Sequence, residues 1–314
     1  MLSDEQGLAL ALRRARRGQG QTGSNPSVGC LILDVNGRDV LALAHTAPGG
    51  RPHSEVLALH QAGARAVGAT AFVTLEPCSH YGKTGPCAQA LIAAKIGRVV
   101  VGVLDANPTV TGRGVAQLRH AGVGIDVRDD PACARHHLGF NRQMLGGRPY
   151  VVLKIATTAD GAMTRRGATA QVKITGPAVQ RQVHLLRAQS DVLVTGSGTL
   201  AVDQPQLNVR LPGYAGAQPQ VIVWQRSMRL DQLAANQVLI EAGPTLASAL
   251  FDEIDELHWY RSAQTFGSDG VRPSFLPANP LDFGARWPQF TLSERRSYDA
   301  DLREIWIKLK HEDD

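Results

Sequence analysis

Short apolar runs alternate with amphipathic stretches along most of the chain, and their periods mark out the elements. Residues 2–18 form an amphipathic pattern carrying Asp4, Glu5, Arg13, Arg14, Arg16 and Arg17. It predicts a first helix over residues 4–17, with Ser3 and Gln6 in capping-box positions. The apolar run 28–33 predicts a strand, Asn36-Gly37 a tight turn, and residues 40–44 the returning hairpin strand. A helix over 54–62, a strand over 71–75, a helix from Cys87 through Lys95 and a strand over 98–104 follow. A helix over 115–121 and a short strand over 124–128 complete the first half. Gly146-Gly147-Arg148-Pro149 punctuates the chain, which restarts with a strand over 150–156. Beyond it the pattern predicts a helix over 177–188, a strand over 191–195 and a glycine-rich turn at Gly196-Ser197-Gly198-Thr199. Strands over 220–224 and 237–240 come next, and the loop Glu241-Ala242-Gly243-Pro244-Thr245 opens a helix over 246–251. Strands interleaved with helices predict layered α/β sheets. No internal repeat stands out, and we expect two domains, residues 1–147 and 148–314.

Composition agrees with that division. A chain of 314 residues is too long for one ordinary domain and fits two. Its 43% hydrophobic and 19% charged content is normal for a protein with real cores. No apolar run approaches the roughly 18 residues that a membrane span needs. The N-terminal pattern also lacks the apolar region of a secretory signal, so a cytoplasmic protein is expected. The net charge of +5 comes from 33 basic and 28 acidic side chains without a basic run. Such a surface can favour phosphorylated small molecules or nucleic acid, and an ordinary solvated surface also accounts for it. With 5% aromatic residues and no interleaved basic patch, nucleic-acid binding is not expected. Four cysteines do not make a disulfide framework in a chain of this size. Cys30 reads as a small core residue of the 28–33 strand, and Cys133 has no reading.

Chemistry concentrates at His53-Ser54-Glu55, Pro77-Cys78 and Pro86-Cys87. The signature of zinc-dependent base deaminases is H-x-E followed by P-C-x-x-C. Here eight residues rather than two separate the cysteines. Pro52 suits a first helical position, which would put His53 and Glu55 in a first turn. Cys87 would open the next helix, so two helix N-termini could face one point and favour thiolate over thiol. One imidazole and two thiolates leave the fourth position of a tetrahedral Zn2+ open for an activated water. Glu55 would then move protons at that water. The alternative is a four-ligand structural zinc completed by His80 or His45. His60, His120, His136 and His137 read as surface or core residues.

The segment Thr74-Leu75-Glu76-Pro77-Cys78-Ser79-His80-Tyr81-Gly82-Lys83-Thr84-Gly85-Pro86-Cys87 resembles the bacterial riboflavin-biosynthesis deaminase/reductase (RibD) family. That family's pattern is close to T-L-E-P-C-x-H-x-G-x-T-x-P-C. Asn25-Pro26-Ser27-Val28-Gly29-Cys30 and Asp105-Ala106-Asn107-Pro108 are similar to its substrate-side segments. Over residues 4–147 the resemblance implies a cytidine-deaminase-like three-layer domain. Its implied reaction removes the 2-amino group of a diaminopyrimidinone ribosylamine 5'-phosphate by hydrolysis. The resemblance implies zinc ligation by His53, Cys78 and Cys87, proton transfer by Glu55, and pyrimidine or phosphate contacts from Asn25 and His80.

The second half is similar to the family's reductase domain, which has a dihydrofolate-reductase-like fold. The matching segments are Lys154 with Asp160-Gly161, Leu185-Leu186-Arg187-Ala188-Gln189-Ser190, residues 199–210, and Glu241-Ala242-Gly243-Pro244-Thr245-Leu246. The implied reaction is hydride transfer from NADPH to C1' of the ribosylamine. Arg187, Leu207, Arg210 and Glu241 would contact substrate, and Thr157, Thr199, Asp203, Gly243, Pro244 and Thr245 the cofactor. Guanidinium groups suit the substrate phosphate, and the Gly243-Pro244-Thr245 loop offers backbone donors to a cofactor phosphate. Ala162 stands where the family has Arg or Lys, Lys173 where a Trp is common, and Trp224-Gln225 where Asp-Ser is expected. Only residues 226–237 separate Trp224 from the strand before Glu241, where the family has a few tens more. Two readings stay open: a bifunctional enzyme, or a deaminase whose second domain is structural or serves assembly. The family analogy implies a homo-oligomer and no nucleic-acid or membrane partner.

Overall fold

The computed structural model describes residues 2–81, 85–108 and 110–309. Of the motif at 74–87, Gly82, Lys83 and Thr84 lie outside the described residues. Backbone contacts divide the chain into two units that meet between Arg148 and Pro149.

The first unit runs α1 (Asp4–Ala15), β1 (Gly29–Leu33), β2 (Val40–His45), α2 (Ser54–Ala62), β3 (Thr70–Val73), α3 (Cys87–Ala93), β4 (Arg98–Val101), α4 (Arg113–His120), β5 (Gly124–Val127) and α5 (Pro131–Met144). Ser3 caps α1 through the expected capping box with Gln6. Among the described residues the sheet order is β2-β1-β3-β4-β5. β1 is antiparallel to both of its neighbours, while β3, β4 and β5 run parallel. Strand alternation builds the layers. Leu31, Leu33, Phe72 and Val100 pack with Leu8 and Ala11 of α1. Cys30, Ile32, Val73, Val99 and Val101 face the opposite way, toward Ala58 of α2, Leu91 of α3 and Leu118 of α4. With both faces covered, every residue of β1 is buried. This is the layered α/β arrangement expected for the first half.

The second unit runs β6 (Tyr150–Thr157), β7 (Thr164–Arg165), α6 (Pro177–Ala188), β8 (Val192–Thr195), α7 (Ser197–Asp203), β9 (Gln220–Val223), β10 (Gln237–Glu241), α8 (Pro244–Ala249), β11 (Glu256–Arg261), β12 (Gly270–Val271), β13 (Phe290–Tyr298) and β14 (Asp301–Lys308). Its main sheet, among the described residues, has the order β13-β14-β11-β6-β10-β8-β9. The five strands from β11 to β9 are parallel, and β14 and β13 add an antiparallel edge. Val151, Leu153 and Ile155 of β6 face a core built with Trp259, Phe251, Phe275 and Phe283. Lys154 therefore points to the opposite face, in register with Glu241 of β10.

Several elements differ from the sequence expectation. Residues 197–199 are helical rather than a turn, because Gly196 takes the extended N-cap conformation and α7 starts at Ser197. α8 starts two residues earlier than predicted, with Pro244 at its first position, where a missing N–H costs nothing. α5, β7, β11, β12 and the β13–β14 hairpin have no counterpart in the sequence expectation. No helix among the described residues is long and apolar enough to cross a membrane.

Candidate functional site

Three chain segments bring His53, Cys78 and Cys87 together. His53 is the N-cap of α2, with an extended backbone (φ −67°, ψ 157°). The helix thus begins at Ser54, two residues later than the reading from Pro52, and Glu55 is its second residue. Cys78 follows the exit of β3, and Cys87 is the first residue of α3. The N–H of Cys87 donates to Cys78 Sγ at 3.3 Å, and that of Ala88 donates to the Cys78 carbonyl at 3.1 Å. A helix start is thus wrapped around one thiol, where its unpaired donors stabilise negative charge.

His53 Nδ1 lies 3.2 Å from Cys87 Sγ and 3.7 Å from Cys78 Sγ. All three ligand atoms fall within 4.8 Å of one another. In a tetrahedral zinc shell with Zn–N about 2.0 Å and Zn–S about 2.3 Å, such atoms sit about 3.5 Å apart, so the donor set fits zinc. His45 and His80 are not part of this group. His45 Nδ1 bonds the Thr46 carbonyl at 2.8 Å, and His80 is exposed. Among the described residues three side chains can ligate one ion here, a number that would keep a tetrahedral position open.

Electrostatics prepares the same group. The hydrogen bond with Cys87, helped by His53, pushes the Cys78 thiol down to about 4 despite burial. The Cys87 thiol is pushed up, by its bond to Cys78 and by burial. Glu55 is buried, and burial raises its carboxyl above the ordinary range although His53 opposes the shift. Ser54 Oγ donates to Glu55 Oε2 at 2.8 Å. A carboxyl raised in this way holds a proton more readily than a free one, which suits a group that takes and returns protons. Asn25 packs against Gly50, three residues before His53 in the chain: a Cβ on Gly50 (φ +85°) would lie 2.2 Å from Asn25 Nδ2.

In the second unit the predicted residues fall into separate groups. Arg187 of α6 is buried and forks onto Glu241 of β10, with Nε–Oε1 at 2.5 Å and Nη2–Oε2 at 2.9 Å. Its Nη1 donates to the Asn208 carbonyl at 3.0 Å. Lys154 stands beside this pair, its ammonium pushed down by burial and supported by Glu241. The carboxyl of Asp203, raised by burial, feels Lys154. Arg210 is exposed and bonds the Asn208 side chain, while Leu207 is buried with a left-handed φ of +47°. Thr199 Oγ1 accepts the N–H of Gly243 at 3.0 Å, which joins the start of α7 to the start of α8. Pro244 is half-buried and Thr245 exposed on that rim. Thr157 is directed elsewhere: its hydroxyl accepts the indole N–H of Trp259 at 2.8 Å, inside the core. The loops after β8, β9 and β10 all leave the carboxyl ends of parallel strands, where cofactors bind in open α/β sheets. Thr195 Oγ1, at the end of β8, is buried with no partner among the described residues. Gly198 has open space at its Cβ position, so a ligand can approach the backbone there.

Of the departures, Ala162 is buried, and a Cβ on Gly270 would come within 2.7 Å of its own Cβ. Lys173 and Gln225 are exposed. Lys154 and Glu76 were not singled out as site residues, although each left a signal. Lys154 is one cation in an apolar strand, and Glu76 lies inside the 74–87 motif.

Residues 1–103 match the cytidine and deoxycytidylate deaminase zinc-binding region, and residues 149–235 match the RibD C-terminal domain. Riboflavin biosynthesis protein RibD of Escherichia coli K12 is 34% identical, covering 96% of this chain and 98% of its own length. The protein of that name from Mycobacterium tuberculosis H37Rv is 35% identical over 79% of this chain and 80% of its own. The solved Acinetobacter baumannii RibD, form 1, superposes with a TM-score of 0.81 at 32% identity, covering 98% of this chain and 99% of that one. A Thermotoga maritima structure gives 0.79 at 25% identity, covering 97% and 98%. It is described as a diaminohydroxyphosphoribosylaminopyrimidine deaminase/5-amino-6-(5-phosphoribosylamino)uracil reductase.

Proposed function

Because the chain belongs to the RibD family, we infer that it is a bifunctional enzyme of riboflavin biosynthesis. It deaminates a diaminopyrimidinone ribosylamine 5'-phosphate and then reduces the ribosyl group to a ribityl chain with NADPH. The first half-reaction rests on residues 1–147 and the second on 148–314. The observation that carries the deaminase is the closed group of His53 Nδ1, Cys78 Sγ and Cys87 Sγ beside a buried Glu55.

His53, Cys78 and Cys87 hold the metal. Zinc bound there supplies Lewis acidity, which makes a water nucleophilic at neutral pH. Glu55 would move both protons of the attacking water in turn, the first to the ring nitrogen and the second, from the resulting hydroxyl, to the amine, which leaves as ammonia. Its raised carboxyl suits both directions of transfer. Asn25 and His80 contact the pyrimidine or its phosphate at the entrance.

In the second unit Arg187, Leu207, Arg210 and Glu241 bind substrate. NADPH, when bound, supplies the hydride. Thr157, Thr199, Asp203, Gly243, Pro244 and Thr245 are the cofactor-side candidates. The Thr199 bond to Gly243 N–H supports a shared rim for the cofactor phosphates, whereas the Trp259 bond leaves Thr157 an indirect part through the end of β6. The enzyme is cytoplasmic and a homo-oligomer in the same reading, which draws on the family.

Single-turnover measurement with the deaminated intermediate tests the bifunctional reading. We expect stoichiometric NADPH oxidation. No oxidation and no NADPH binding would leave a deaminase with a structural second unit, the alternative that Ala162, Lys173 and the short 226–237 connection favour.

A further inference from the structure

The motif at 74–87 contains a buried carboxylate that no step of the deamination uses. Glu76 is 4% exposed and lies two residues before Cys78. Its Oε2 accepts the N–H of Gly112 at 2.9 Å and that of Asp105 at 3.3 Å. Its Oε1 accepts the N–H of Gly114 at 2.9 Å and that of Val115 at 3.2 Å. One oxygen thus ties the two ends of the connection between β4 and α4. The other serves the first turn of α4, whose N-cap, Gly112, has no side chain to do so. Four N–H donors fill the acceptor capacity of the carboxylate.

The packing allows no slack at this point. A Cβ on Gly114 would lie 1.9 Å from the Pro77 carbonyl oxygen, so the start of α4 rests directly on the residue before Cys78. Inside the tied connection, the Asp105 carboxylate accepts the N–H of Asn107 at 2.9 Å, and the Asp105 carbonyl accepts the Thr111 hydroxyl at 2.5 Å. Asp105 is half-buried and close enough to Cys78 and His80 to feel their charges. Glu76 thereby hangs a polar, tightly turned segment at the mouth of the metal group.

We propose that Glu76 is a positioning residue of the deaminase site: it holds the Asp105–Asn107 turn beside Cys78 and so sets affinity for the pyrimidine substrate, without taking part in metal binding. The proposal rests on the deaminase reading above. Glu76→Gln keeps the volume but turns an amide N–H2 toward two of the four N–H groups. With zinc-loaded full-length enzyme we expect unchanged metal content, kcat within about 3-fold and KM raised about 10-fold, the split of lost ground-state binding. Amide exchange at Gly112, Gly114 and Val115 should accelerate. Glu76→Asp, which keeps the charge and shortens the reach, supplies the same readouts should the glutamine variant not fold. Unchanged exchange at these amides overturns the proposal, as does zinc loss or an unchanged KM. If the wild-type enzyme releases no ammonia, the deaminase reading fails, and the exchange and metal measurements still decide whether Glu76 is the tie.

Discussion

In the first unit, the reactive side chains come from two helix starts and one strand exit, and they face one another with little else between them. In the second, the polar side chains are already engaged. Arg187 is forked onto Glu241, Thr199 holds Gly243, and Thr157 bonds Trp259. The imidazole and thiols of the first unit hydrogen-bond chiefly to one another, and the same lone pairs can serve a metal. A cofactor site built from loops at strand ends relies on backbone and open space, so its side chains can be committed to holding those loops.

The sharpest way to break this comparison is Glu55→Gln. It should lower deamination by about 10,000-fold, the upper range for a general acid–base group. Zinc content and NADPH oxidation should stay as they were. Loss of zinc in this variant, read by metal analysis, would make Glu55 a ligand.

The second unit should fail differently. Arg187→Met leaves Glu241 buried without its partner, which costs about 3 kcal/mol in stability. Urea unfolding should detect this, whereas ammonia release by the first unit should not change. Equal loss of both activities would mean the pair supports the whole chain.

Acid separates the units further. Burial holds His136 at about 4 and His137 well below its ordinary value. Unfolded, both titrate near 6.5, so the unfolded first unit takes up protons that the folded one refuses. Stability is full above about pH 6.5 and falls toward pH 4, by about 1.4 kcal/mol per pH unit for each group. Glu241 is the opposite kind of group. Burial would raise its carboxyl, yet Arg187 and Lys154 override that and hold it below the ordinary value. Its contribution persists above about pH 4.5 and is lost only as pH falls through the lower folded value. On acidification the first unit should open first, and His136→Gln should flatten its slope, measured by urea titration at several pH values.

The smallest effect should come from Gly50→Ala. The new methyl would displace Asn25 and, with the left-handed φ, cost about 1 kcal/mol. Deamination KM should rise several-fold with kcat unchanged.

Much of this was legible in the sequence for reasons that are themselves physical. The metal group could be read because its ligands must be His and Cys at fixed places around turns, and few other roles combine them. Strands could be read where continuous apolar runs such as residues 29–33 leave little ambiguity, whereas β11 is largely buried yet carries Glu256, His258 and Arg261 and gave no such run. The β13–β14 hairpin could not. From Thr291 to Ser297 every residue of β13 is exposed, so no alternation marks it as a strand. α7 was hidden by Gly196 and Gly198, which favour turns by propensity and here start a helix. The part played by Glu76 depends on four backbone N–H groups, which carry no side-chain signature at all.

The strand order of the second unit has a consequence for how the protein is made. β10 lies between β6 and β8, although it follows both in the chain. On a ribosome, β6 and β8 emerge with open edges and cannot pair through their final partner until residues 237–241 leave the tunnel. The strand that joins the two parts of the sheet also carries Glu241. A nascent chain interrupted before it exposes sticky strand edges and lacks Glu241, so the joining of the two parts of the sheet and the assembly of the second site wait on the same strand.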